Sequence, residues 1–155
     1  MGQCYTAGDF KKYFSENMQE LGLPVPSTLF DTYQTAIATA SAMVGTLATL
    51  GKGATMGELV GATLGLEKLA VAASVGASAY TGAAIGSIAV AAGRSLGCGS
   101  RMSDLFVMAR QNKLEFSGLA AFYTNNPQVL QRNYPGRARF GMQAKIAPAN
   151  FSYVS

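Results

Sequence analysis

The sequence predicts a mainly α-helical single domain, a helical bundle wrapped round a central Ala/Gly-rich helical hairpin, with room for one short C-terminal strand. Three observations lead there: apolar residues recur at helical spacing in both flanking regions, two long central stretches carry no charge, and small residues recur at every fourth position within them. At 155 residues the chain is long enough for one domain with a real core. Charged residues make up only 13%, against roughly 25% in an ordinary soluble domain, so little polar surface is available to cover that core.

Residues 1–26 form an amphipathic N-terminal helix and a Pro-containing linker. In "DFKKYFSENMQEL" the residues Phe10, Tyr13, Phe14, Met18 and Leu21 share a helical face, and Gly22 follows as a C-cap. Pro24 and Pro26 then force extended backbone. Residues 27–97 are the small-residue hydrophobic hairpin. Its first arm starts near Ser27, Thr28 and Asp31, which supply a cap and a first-turn acid, and runs to about Leu50. From Thr32 to Gly51 there are 20 residues without a charge. After the turn "GKGAT", the second arm is one long helix or two joined near Glu67 and Lys68. Its charge-free run, Leu69 to Gly93, has 25 residues, about 37 Å as a helix against about 30 Å of bilayer hydrocarbon. Lys68 and Arg94 bracket it.

Residues 98–155 are basic C-terminal helices and a tail. Ser100 or Ser103 caps a helix presenting Met102, Leu105, Phe106 and Ala109, while Phe116, Leu119, Ala120 and Tyr123 make a further stripe. Asn126–Pro127 restarts a short helix. "RFGMQAKI", residues 139–146, alternates strictly and reads as a strand in need of a partner, with Phe140, Met142, Ala144 and Ile146 on one side.

Small residues mark the central region. Gly57, Gly61 and Gly65 form one row at intervals of four; Ser74, Ser78, Gly82 and Gly86 form a second, extended backwards by Ala70; Gly93 and Gly97 add a pair. Ser41, Gly45, Thr49 and Gly53 repeat the interval in the first arm. Such a row lets two helix backbones approach closely, at up to about 1 kcal/mol of helix propensity per glycine. In lipid that packing becomes a main source of association; in a soluble bundle it serves packing alone. Between Leu69 and Gly93 the strongly apolar residues contribute about −2 to −4 kcal/mol on the insertion scale before small and polar residues subtract from it. The segment is therefore marginal, suited to folding in water and entering a bilayer later.

Several function classes are excluded or weakened. With no histidine, Ser-His and Cys-His nucleophile pairs and most zinc sites are absent. Cys4 and Cys98 lack metal spacing, and a bridge between them is allowed without being indicated. Neither a metal nor another cofactor is expected. "GTLATLGKG" misses the phosphate-loop spacing by one residue and lacks the hydroxyl after Lys52, and "GKGATMG" is one residue too long for a dinucleotide turn. Glu58 with Glu67, or Asp104 with Glu115, offers carboxylate pairs, but nothing sets either across a cleft. The chain is not expected to be an enzyme. Up to Gly93 four bases face six acids, whereas eight bases face two acids beyond it. That basic half favours anionic lipid or an acidic protein, and no motif points to nucleic acid. The start of the chain lacks a basic region followed by an apolar one, as a secretory signal would have; it does fit the acylation pattern through Gly2 and Thr6, with Cys4 beside them.

Through "GELVGATLGLEKL" and "SVGASAYTGAAIGSIAVAAG", about residues 57–97, the sequence resembles the small glycine-zipper, pore-forming antibacterial effectors of the type VI secretion system. The resemblance implies a secreted toxin that is delivered without a cleaved signal peptide. It would insert into the inner membrane of a target bacterium, form an ion-conducting pore and dissipate ion gradients. It also implies a cognate immunity protein and a secretion carrier or chaperone; the zipper rows would then be seams between helices, either within one chain or between copies in a membrane homo-oligomer. On that view Gly57, Gly61, Gly65, Ser74, Ser78, Gly82, Gly86, Gly93 and Gly97 are helix-packing and pore-forming positions, and Tyr80 and Thr81 can face water. Glu58 and Glu67 are then candidate charges at the pore mouth, or else solvated helix-end carboxylates. Gly82→Leu or Gly86→Leu would abolish leakage and spare the soluble fold. The alternatives are a soluble or peripheral helical interaction protein, whose glycine rows serve packing only, and a constitutive small membrane protein.

Overall fold

The N-terminal stripe folds as helix α1, Phe10–Glu20, which buries Phe14, Asn17 and Met18. The helix ends as its sequence demands: Gly22 takes φ +81°, and N–H bonds from Gly22 to Gln19 O (2.9 Å) and from Leu23 to Met18 O (3.0 Å) close a Schellman-type cap. In the computed structural model the described residues are 10–26, 28–50, 54–92, 102–114, 118–131 and 134–146. The chain is a mainly α-helical single domain, and the described residues contain no strand.

Helix α2, Tyr33–Leu47, starts later than the earlier Ser27–Asp31 signals suggest, because Thr32 is the residue in extended backbone and its hydroxyl accepts the N–H of Thr35. Its buried residues Ala36, Thr39, Ala40, Met43 and Leu47 fall at helical spacing. Helix α3 is short, Met56–Gly61, and opens with a reciprocal Thr55–Glu58 capping box. A turn follows in which Gly65 has φ +92°, then a 3-10 segment over Glu67–Ala72. Helix α4, Ala77–Ala91, comes next. The second arm is therefore no continuous helix. Its break falls beside Glu67 and Lys68, where a two-part arm would be joined, and it occupies a turn and a 3-10 segment.

Helices α5, Met102–Gln111, and α6, Leu119–Asn125, follow. Pro127–Val129 is a 3-10 turn with proline in its first positions, where the missing N–H costs nothing. A second 3-10 turn, Arg137–Arg139, leads into α7, Phe140–Ile146.

The strand reading of residues 139–146 is corrected by α7. Phe140 and Ala144, four apart, are buried, but Met142 between them is 55% exposed, so the inward face has helical and not alternating periodicity. Gly141 lies against Gly22, its N–H bonding Leu21 O at 2.8 Å. That contact needs a residue without a side chain, because a Cβ at Gly141 would run into the Gly22 and Leu21 backbone.

Helix α4 is the axis of the fold. It packs most extensively on α1, next on α2, and also meets α3, α5 and α6. All of its residues from Ala77 to Ala91 are buried. Its N-terminal end is held by backbone bonds from neighbouring segments, Met56 N to Val75 O (2.8 Å), Ala77 N to Ala54 O (2.8 Å) and Gly76 N to Ala144 O (3.2 Å).

Candidate functional site

The small-residue row of α4 is the feature that sequence and structure share. Only part of the expected row is helical: Ser78, Gly82 and Gly86 lie on α4 and are buried, whereas Ser74 precedes the helix and is exposed. Ala70, the expected backward extension, is also exposed. The groove left by the two glycines is filled, though not by another small-residue helix. A methyl group added at Gly86 would sit 2.5 Å from Val129 Cγ1, 3.2 Å from Leu130 Cδ2 and 3.3 Å from Tyr123 Cε1. At Gly82 it would run into the ring of Phe122. Bulky side chains from α6 and the following turn thus act as knobs in a glycine-lined hole. The Tyr123 hydroxyl donates to Gly82 O at 2.7 Å, which ties that layer to the helix backbone itself.

The other rows fare differently. Gly57 closely approaches Ala73, whose carbonyl oxygen would be 3.3 Å from an added methyl. Gly61 and Gly65 have open space around them, and Gly65 serves the turn through its positive φ. Gly57, Gly61 and Gly65 consequently make no common seam, because α3 stops at Gly61. Ser41 and Gly45 on α2, and Thr49 just beyond its end, are exposed. Gly93 and Gly97 lie outside the described residues, as do Gly53, Arg94, Cys4, Cys98, the acylation pattern at Gly2 and Thr6, Ser100, Glu115 and Phe116. The side chains of Met102, Ser103 and Asp104 also lie outside them.

Glu58 and Glu67 have local partners. The Glu58 carboxylate accepts the Thr55 N–H at 3.0 Å, completing the cap of α3. Glu67 accepts the Gly65 N–H at 3.0 Å, and that backbone donor, followed by its own, holds its pKa below the ordinary glutamate value. Both carboxylates are exposed.

Polar groups on α4 are handled unequally. The Tyr80 hydroxyl donates to Pro24 O at 2.7 Å, and burial holds the phenols of Tyr80 and Tyr123 well above their ordinary range, so both remain neutral donors. Ser87 Oγ accepts from Asn17 Nδ2 at 2.9 Å, and the same amide donates to Val129 O at 3.0 Å. Arg137, buried, donates to Asn17 Oδ1 and pairs with Glu20 at 3.2 Å. One network therefore joins α1, α4 and the C-terminal layer through the interior. Nothing in the spacing of Asn17, Ser87 and Arg137 announces it; a lone Asn among the apolar residues of α1 is the only sequence trace. By contrast, the Thr81 hydroxyl is fully buried on α4 without a hydrogen-bond partner.

Among the described residues no cluster of His, Cys, Asp or Glu could hold a metal ion, and no helix is long and apolar enough to cross a membrane. No family model matches this chain, and no curated protein or solved structure does so either. The class that fold and site define is thus a helical domain with a completely enclosed, charge-free axial helix.

Proposed function

We propose that this chain is a secreted antibacterial toxin that places α4, together with the segment leading into it, in the inner membrane of a target bacterium and conducts ions there. The single observation that carries this reading is α4 itself. A helix apolar on every side is either the axis of a soluble core or a membrane span, and α4 carries no charge. As folded, its 15 residues reach about 22 Å, short of the roughly 30 Å of hydrocarbon. Uncoiling the 3-10 segment and re-forming Leu69–Gly93 as one helix removes the shortfall, with Lys68 and Arg94 left at its ends. In that state Gly82 and Gly86 are freed from Phe122, Tyr123, Val129 and Leu130 and can receive a second helix, from α2 or from another copy of the chain. A producing cell would need an immunity protein and a carrier to keep the toxin harmless.

A second reading, a soluble or peripheral interaction protein, is favoured by one specific observation: the knobs on Gly82 and Gly86 account for both glycines without any membrane.

The Thr81 hydroxyl separates the two. A buried hydroxyl without a partner costs about 1–3 kcal/mol, and a water-lined pore removes that cost. Thr81→Val is expected to raise soluble stability by about 1 kcal/mol or more in urea titrations while lowering ion conductance in planar bilayers. The decisive assay is a membrane-potential dye in cells that direct the chain to the periplasm. Depolarisation is expected there and not when the chain stays in the cytoplasm; an intact potential with the protein accumulated in the periplasm would end the pore reading.

A further inference from the structure

We propose that the exposed face of residues 134–146 is a docking surface for anionic lipid, which seats the N-terminal end of α4 at the bilayer; its purpose rests on the insertion reading above. From Phe116 to Ser155 the chain carries Arg132, Arg137, Arg139 and Lys145 and not one Asp or Glu. Arg137 is turned inward to Glu20 and Asn17, whereas Arg139 and Lys145 are exposed. Between these two, Met142 is 55% exposed, and Tyr134, at the start of the same segment, is 39% exposed. Met142 and Lys145 lie three apart on one side of α7, and Arg139 ends the 3-10 turn that leads directly into it, so the three exposed residues make a short strip beside the buried Phe140 and Ala144.

The chemistry of this strip fits a headgroup layer. Two separated cations match a diffuse negative surface, methionine enters the acyl boundary without a directional partner, and tyrosine is at home where apolar and wet regions meet. A purely acidic chain would use the cations but not the methionine. The location matters as much as the composition. Ala144 O accepts the Gly76 N–H at 3.2 Å, so α7 is fastened to the residue that caps α4. Lipid engaged by α7 therefore lies beside the segment that must uncoil for Leu69–Gly93 to become one helix.

The test is co-sedimentation of the full chain with phosphatidylcholine vesicles and with equimolar phosphatidylcholine–phosphatidylglycerol vesicles, alongside dye leakage from the same vesicles. Binding is expected only with phosphatidylglycerol, weakening as salt rises. Arg139→Gln and Lys145→Gln are each expected to reduce it about fivefold. Met142→Ser is expected to reduce it too, while the exposed Lys12→Gln on α1 leaves it unchanged. These side chains are exposed, so far-UV circular dichroism should report an unaltered fold in each variant. Equal binding to both vesicle types overturns the proposal. So does retention on polyglutamate as strong as on vesicles with Met142→Ser silent, which assigns the face to an acidic protein. Phosphatidylglycerol-dependent binding without leakage removes the pore and leaves the docking surface; leakage with lipid-indifferent binding does the reverse.

Discussion

Gly86→Leu is expected to lower the urea midpoint of the folded chain by the equivalent of about 3 kcal/mol, and Gly82→Leu by more. An added methyl at Gly86 already lies 2.5 Å from Val129 Cγ1, and at Gly82 it meets the Phe122 ring, so the rest of a leucine side chain has nowhere to go. Even alanine is unfavourable here. Its gain in helix propensity is at most about 1 kcal/mol, whereas overpacking typically costs about 1–3 kcal/mol. This corrects the expectation, natural from the sequence, that leucine at either position would spare the soluble fold and report on the pore alone. The informative variant is the pair Gly82→Ala with Phe122→Leu, which shortens the knob as it fills the hole. It is expected to recover most of the stability lost in Gly82→Ala. Loss of depolarisation in that stable pair supports a glycine seam in the membrane, and full depolarisation limits the glycines to packing. A native midpoint for Gly86→Leu would show that the C-terminal layer does not rest on α4 as described.

The second large effect belongs to Asn17→Ala, expected to destabilise the chain by about 3–5 kcal/mol, measured as a shift in urea midpoint at unchanged slope. Truncation to a methyl group leaves Ser87 Oγ and Val129 O without the amide, and withdraws a partner from the buried Arg137 guanidinium. The ion pair to Glu20 does not make this good, since that carboxylate side chain is 45% exposed and solvent weakens its attraction. An effect below about 1 kcal/mol, the size of one ordinary hydrogen bond, would mean that the network does not hold the layers together.

How far the residues announce this fold varies along the chain. The α1 stripe, its Gly22 stop and the proline break after it follow from local chemistry, and the folded chain keeps them. The missing charges between Leu69 and Gly93 announce an enclosed segment; α4 is enclosed, whereas Ala70, Val71 and Ser74 ahead of it are exposed. Local rules then fail in two places. "GELVGATLGLEKL" satisfies four-residue spacing, yet Thr55 and Glu58 cap a short helix there and Gly65 turns the chain, because exposed glycines without a neighbour give a longer helix nothing to pack on. In "RFGMQAKI" an eight-residue alternation also contains the four-residue pair Phe140 and Ala144, and a period of two cannot be told from helical spacing over so short a span.

Composition and periodicity were enough to specify a helical chain, its small-residue rows and a charge-free centre, since these properties depend on neighbours within a few residues. Which groups meet across the interior was settled by chain packing: Phe122 and Val129 in the glycine groove, Asn17 linked to Ser87 and Arg137, and Gly141 set against Gly22. Those contacts join residues far apart along the backbone, so their energies depend on a three-dimensional arrangement that no local pattern encodes.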